Sequence, residues 1–281
     1  MRTQPPFALI AAALAFPLFA APAQAQRARV FVASYGDDAN PCTFGSPCKT
    51  FQHAHDVVAA GGEVTAIDSA GFGPINITKA VTITSPDGVE AGIVPAAGGN
   101  AININAGPTD AVVLRGLTLN GSGIAFNGVV FNSGGSLTIT NCVVQNFVNN
   151  ANNTGNGLLI QSAGAVVLDH VVTNHNQSGI AVSGTPVVTI SNSIASNNST
   201  FGITLNGGLV SIDNVSISGN ATGIAATGDL GVVLSRSVIA GNGTGISNNT
   251  APVPRFFTYN DNRILDNIAG MHTALISIAL Q

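Results

Sequence analysis

Gly157-Leu158, Gly179-Ile180, Gly202-Ile203, Gly223-Ile224 and Gly245-Ile246 repeat one pair of residues at steps of 22, 23, 21 and 22 positions. Each step holds a short apolar strand, a turn, a second apolar strand and an Asn-rich corner. A fixed period of this length marks a solenoid, in which a unit too small to bury its own apolar face stacks on its neighbours. The second strands align as Thr138-Ile139-Thr140-Asn141, Val167-Leu168-Asp169-His170, Thr189-Ile190-Ser191-Asn192, Ser211-Ile212-Asp213-Asn214 and Val233-Leu234-Ser235-Arg236. An Asn follows each, at Asn146, Asn176, Asn197, Asn220 and Asn242. Asn tolerates the left-handed backbone of a tight corner, and amides stacked along an axis bond to one another.

Three short strands in about 22 residues predict an all-β chain wound as a right-handed, single-stranded parallel β-helix. The leucine pattern of a leucine-rich repeat is missing, and so is the Gly-Gly-x-Gly-x-Asp run of a calcium-binding nonapeptide repeat. Upstream the rungs are less regular. One begins at Ala101-Ile102-Asn103-Ile104 and the next at Gly128-Val129-Val130-Phe131, 27 residues later. The interval from Gly128 to Gly157 is 29 residues, and its excess, Asn149 to Asn156, reads as a polar loop at one corner.

The predicted organisation is a signal peptide over 1–25, an N-terminal strand, loop and capping helix over 26–62, and the β-helix over 63–281. Arg2, the apolar run Phe7 to Ala21 and the small-x-small Ala23-Gln24-Ala25 form the pattern of a cleaved secretory signal. Export to the periplasm or beyond is therefore expected, with no membrane span in the mature chain. Residues 29–34 read as a strand. Thr50 reads as a helix N-cap before the apolar stripe Phe51, Ala54, Val57 and Val58, with Gly61-Gly62 as the stop. A solenoid needs its end covered, and this helix is placed to cover it.

Cys42 and Cys48 bracket a turn-rich loop, and in an oxidising compartment they read as a local disulfide; zinc is the competing reading, short of a second ligand pair. Cys142, in an apolar strand, reads as a small buried thiol.

Charged residues make up 8% of the chain, against roughly a quarter in ordinary domains. Between Gly116 and Gly228 only Asp169 and Asp213 carry charge. Without Arg2, 8 basic residues face 13 acidic ones. That balance argues against nucleic acid, which requires clustered Lys and Arg. Trp is absent, so a sugar-stacking cleft has few parts: Tyr35, Tyr259 and some Phe residues.

Val32 to Cys42 followed by Pro47-Cys48-Lys49-Thr50-Phe51-Gln52 resembles the opening of secreted members of the pectin-lyase-like superfamily. The Gly-Ile-x-Val rungs resemble its right-handed β-helix repeats. Tyr259 to Asn267 is similar to the terminal segment of bacterial members without an assigned activity. The resemblance spans nearly all of the mature chain and implies the fold. Its members include polysaccharide lyases, glycoside hydrolases, epimerases and adhesins, so it implies no single activity. In its lyases, Arg or Lys works beside acidic residues that hold Ca²⁺. The paired-aspartate strand motif of its polygalacturonases and the Asp-Pro-His motif of its alginate epimerases are both missing.

The candidate site residues are Asp169, His170, His175, Asp213 and Arg236. Asp169 and Asp213 occupy equivalent positions two rungs apart, about 10 Å at a rung spacing of about 4.8 Å. That separation is too wide to share one Ca²⁺ and borderline for the carboxylates of an inverting glycosidase. As ordinary residues the two are strand positions where neighbouring rungs carry Ser or Thr. His170 and Arg236 share a corner column three rungs, about 14 Å, apart. Arg236 is the best group for gripping a carboxylate. Asp37, Asp38 and Asn40 suggest calcium on paper, but Gly-Asp-Asp beside a disulfide loop is commonly turn chemistry.

The leading expectation is a non-catalytic β-helix with a structural or glycan-recognition role, with polysaccharide as its partner and no cofactor. The first alternative is a lyase or hydrolase on an acidic polysaccharide, the one reading that brings in Ca²⁺. The second is an adhesin or self-assembling surface protein pairing through the strand Ala274 to Leu280.

Overall fold

The computed structural model describes residues 27–148, 155–249, 255–271 and 275–279. The 1–25 segment, most of the 149–156 loop and both ends of the 274–280 strand lie outside them. The chain is an all-β parallel solenoid of about nine turns, each of about 23 residues. Successive turns contribute one strand to each of three faces.

First strands stack in register through Ile102, Val129, Leu158, Ile180, Ile203, Ile224 and Ile246. Second strands stack through Leu114, Ile139, Leu168, Ile190, Ile212 and Leu234. The third face is a ladder of nine short strands from Ala70–Gly71 to Arg263–Leu265. The inward members of the three columns are buried apart from the end residues Ala70 and Ile264, which are partly so, each large aliphatic side chain contributing about 1.5–3 kcal/mol.

The Gly of the Gly-aliphatic pair is required by contact. A Cβ on Gly179 would lie 2.6 Å from the carbonyl oxygen of Gly202, and one on Gly202 2.7 Å from that of Gly223. The first strand therefore runs close against the next rung, and no side chain fits between them.

The corners carry two kinds of Asn. Asn146, His175 and Asn197 hold positive φ of 60°, 54° and 53° where the third strand turns into the next rung. The residue after each turns inward, so Phe147, Asn176, Asn198, Asn220 and Asn242 form a buried column that ends on the partly buried Asn267. Asn198 Nδ2 donates to Asn220 Oδ1 and Asn220 Nδ2 to Asn242 Oδ1, both at 3.0 Å. Each Oδ1 also accepts a backbone N–H from the rung before. The expected alignment of Asn146 and Asn197 with Asn176 and Asn220 is thus off by one, because Asn197-Asn198 offers an amide to either column. Asn156, expected in the loop, starts a strand, and its Nδ2 donates to Asn127 Oδ1 at 2.9 Å.

At the N-terminal end the strand Arg27–Val32 pairs with Val58–Ala66. Between them the helix Phe51–Val57 lies over the core, burying Phe51, Ala54 and His55. Thr50 caps it, its Oγ1 accepting from His53 N–H at 3.2 Å. Asp38 in turn accepts the N–H groups of Lys49 and Thr50 and the Thr50 hydroxyl. The helix stops earlier than expected. Val58 is already extended and belongs to a strand that runs through Gly61 and Gly62, because pairing with the N-terminal strand satisfies its backbone. Cys42 and Cys48 form a disulfide with both residues fully buried. No helix among the described residues is long and apolar enough to cross a membrane.

Candidate functional site

One corner column turns the second strand into the third. Asn141, His170, Asn192, Asn214 and Arg236 all hold left-handed backbone, with φ between 48° and 53°. The residue before each ends the second strand, and register makes Thr140, Asp169, Ser191, Asp213 and Ser235 neighbours on successive rungs. Two of these five are carboxylates, and both are engaged with the following rung.

Ser191 Oγ and Asn192 Nδ2 each donate to Asp169 Oδ1 at 2.7 Å. His170 Nδ1 lies 2.8 Å from Asp169 Oδ2. Bonds from Asn192, Ser191 and His170, in that order, pull the Asp169 carboxyl down to about 2. Two turns further along, Ser235 Oγ donates to Asp213 Oδ1 at 2.7 Å, and Arg236 takes both oxygens of the same carboxylate through Nε and Nη2. That pairing with Arg236 is the main cause lowering the Asp213 carboxyl, and it raises the guanidinium in return. Between the two carboxylates, Asn214 Nδ2 donates to Asn192 Oδ1 at 2.7 Å. Amides thus run from rung to rung toward Asp169.

Beside this column lies an open groove of about 320 Å³, bordered by His170, Asn192, Asn214 and Arg236. Its floor is the outer side of the third strands, where Ile194, Ser216 and Val238 stack in register. Ile194 and Val238 are 40% and 37% exposed. A wider hollow of about 670 Å³, lined by Asn132, Gln161 and several glycines between first and second strands, is lined by no charged side chain.

The structure brings four of the five candidate residues to one flank. His170 and Arg236 stand at the two ends of the groove, and Asp169 and Asp213 bind them from behind. His175 sits on the other corner and does not line it. Sequence reading passed over Ser191, Asn192, Ser235, Ile194 and Val238. A usable signal existed for three of these: each Asp is followed 22 and 23 residues later by a Ser and a corner donor, Ser191-Asn192 and Ser235-Arg236.

The carboxylates do not assemble a calcium site. Asp169 and Asp213 have Ser191 between them and accept different donors, whereas Ca²⁺ takes six to eight oxygens at close range. Asp37 and Asp38 are occupied by the backbone N–H groups of Ala39 and of Lys49 and Thr50. Among the described residues, one set of three His, Cys, Asp or Glu brings its ligand atoms within 4.8 Å of one another: Cys42, Cys48 and His53. Two of those atoms are the disulfide sulfurs, which leaves no thiolate for a zinc ion. Burial pushes the Cys142 thiol up to about 11, well away from a reactive thiolate.

A right-handed β-helix region family model matches residues 127–275. The crystal structure of the pectate lyase Pel9A superposes with a TM-score of 0.56 at 12% identity, over 89% of this chain and 77% of that one. The A-module of the mannuronan C-5 epimerase AlgE4 of Azotobacter vinelandii gives 0.38 at 13% identity, over 90% and 89%. Among curated proteins no sequence matches. At such identities the likeness is one of fold, and with more than half of its length matched the chain belongs to the right-handed β-helix family.

Proposed function

We propose that this chain is an exported, non-catalytic β-helix that recognises a glycan along the groove between His170 and Arg236. One observation carries the reading: four successive rungs present His170, Asn192, Asn214 and Arg236 in a straight polar column beside the exposed Ile194 and Val238. Such a surface offers hydroxyl partners on one side and apolar contact for sugar C–H faces on the other. A groove parallel to the axis suits an extended polymer. The occurrence of this fold in a pectate lyase makes polysaccharide the ligand class to test. Export draws on the apolar N-terminal run and on the Cys42–Cys48 disulfide.

Turnover finds little support in the same residues. A general acid needs a proton near working pH. Asp169 is held at about 2 and Asp213 is also lowered, so neither carries one. Arg236 is already clamped by Asp213, and among the described residues lining the groove His170 faces amides, with no carboxyl or second imidazole across from it. Incubation with polygalacturonate and with alginate, with and without Ca²⁺, tests this. Neither unsaturated product absorbing in the ultraviolet nor new reducing ends should form, and either one overturns the non-catalytic reading.

A further inference from the structure

Resting on that glycan reading, we infer that the groove selects uncharged glycan segments and turns polyuronates away, and that the Arg236–Asp213 pair sets the preference. The charges decide the sign. Asp169 and Asp213 bring two negative charges to the column, Arg236 one permanent positive charge, and His170 a second only when protonated. Arg236 is also close enough to Asp261 to feel its charge. The floor column continues past Val238 to the exposed Arg263, in register with it; with Asp261 and Arg263 counted, three aspartates face two arginines, so a row of uronate carboxylates would lie along a flank whose balance is neutral at most and negative when His170 is neutral. Arg236 already gives two of its five N–H donors, from Nε and Nη2, to a carboxylate of the protein itself. An incoming carboxylate must displace Asp213 or accept a partly neutralised partner.

The hydrogen-bonding inventory points the same way. A side-chain amide has two N–H donors and two acceptor lone pairs. Asn192 gives one N–H to Asp169 and takes one from Asn214, so one donor and one lone pair are left for a ligand. A sugar hydroxyl donates and accepts, and matches that remainder. A carboxylate only accepts: it can take the remaining amide N–H but leaves the Asn192 lone pair unmatched, and it brings its charge beside the two aspartates. The floor adds Ile194 and Val238, two rungs apart with Ser216 between, which suit the C–H face of a pyranose and offer nothing to a charge.

The test is equilibrium binding of matched hexasaccharides at fixed salt. Neutral probes are fragments of β-glucan, xylan and mannan; acidic probes are fragments of polygalacturonate, polymannuronate and polyguluronate. The wild-type protein should bind at least one neutral probe at least tenfold more tightly than any acidic one. Asp213→Asn releases Arg236 and removes a negative charge, and should improve acidic probes at least tenfold relative to neutral ones. Arg236→Asn places in the column the residue already present at Asn192 and Asn214, and should weaken acidic probes further. Equal or tighter binding of an acidic probe by the wild-type protein, or an unchanged ratio in both variants, overturns the selectivity and leaves the glycan reading standing. Binding of neither class overturns the glycan reading and the selectivity with it.

Discussion

Arg236 reaches back one rung to Asp213, 23 residues earlier, donating from Nε to Oδ1 at 2.8 Å and from Nη2 to Oδ2. The same offset joins Asn192 to Asp169. In each case a corner residue satisfies the carboxylate that ends the preceding second strand. The Arg236 side chain is 68% exposed, so the pair adds little to stability. Arg236→Asn should therefore leave the urea-denaturation midpoint nearly unchanged, as expected of a solvent-exposed ion pair. A larger loss would mean that the pair holds the rungs together rather than tuning the groove.

The recurring Gly predicts a sharper result. In Gly202→Ala the new Cβ would lie 2.7 Å from Gly223 O, 2.8 Å from Ile217 Cγ2 and 2.9 Å from Asn220 Nδ2. Forcing those atoms apart should destabilise the chain by about 1–3 kcal/mol, the range of overpacked cores. Gly45→Ala is the control, since a Cβ there meets nothing within 4 Å. It should change stability by less than about 0.5 kcal/mol. Both are read from chemical denaturation midpoints.

The buried amide column should be more sensitive still. Asn220 Oδ1 accepts from Asn198 N–H and Nδ2, and its two Nδ2 hydrogens are shared among Ala195 O, Ser218 O and Asn242 Oδ1. Asn220→Ala orphans several of these groups at once, at about 1–3 kcal/mol for each buried group left unpaired. A loss of about 3 kcal/mol or more is expected, with amide exchange accelerated first in the rungs on either side. Asn214→Ala, at the solvent-facing corner, should cost about 1 kcal/mol.

How much of this was legible in the sequence follows from what periodicity encodes. The Gly-Ile step gives the rung length, and the alignment of Ile139, Leu168, Ile190, Ile212 and Leu234 is the register found in the structure. Why the step needs Gly was not legible, because the clash is with the carbonyl of the next rung. The Asn columns were misread by one residue where Asn197 and Asn198 stand side by side. The site was half legible. Asp169 and Asp213, and His170 and Arg236, stand too far apart down their own columns to touch. The contacts that matter run diagonally, from one column to the next residue of the following rung. His175, five residues past His170, turns the next corner and does not line the groove.

The capping helix carries a pH dependence. His55 is buried, its Nε2 accepting Thr78 N–H and its Nδ1 beside Asp56 Oδ1. Burial, the largest cause, holds the imidazole below its ordinary 6.5, with Lys79 adding to the depression and Asp56 opposing it. Between the lowered native value and 6.5 the unfolded chain binds more protons, so stability falls as pH drops through that window. His55→Gln, which keeps an acceptor for Thr78, should flatten the melting temperature between pH 7 and pH 5. An unchanged slope would assign the acid sensitivity elsewhere.

The most direct measurement blocks the groove. Ser216 faces outward between Ile194 and Val238. Ser216→Trp fills the floor without entering the core. Saturation binding of the neutral and acidic hexasaccharides to the wild-type protein and to this variant, with matching melting temperatures, decides the matter. The expected result is at least one saturable ligand whose affinity falls tenfold or more in the variant. Binding that survives the block unchanged, or no binding by the wild-type protein, would contradict recognition of a glycan at this groove.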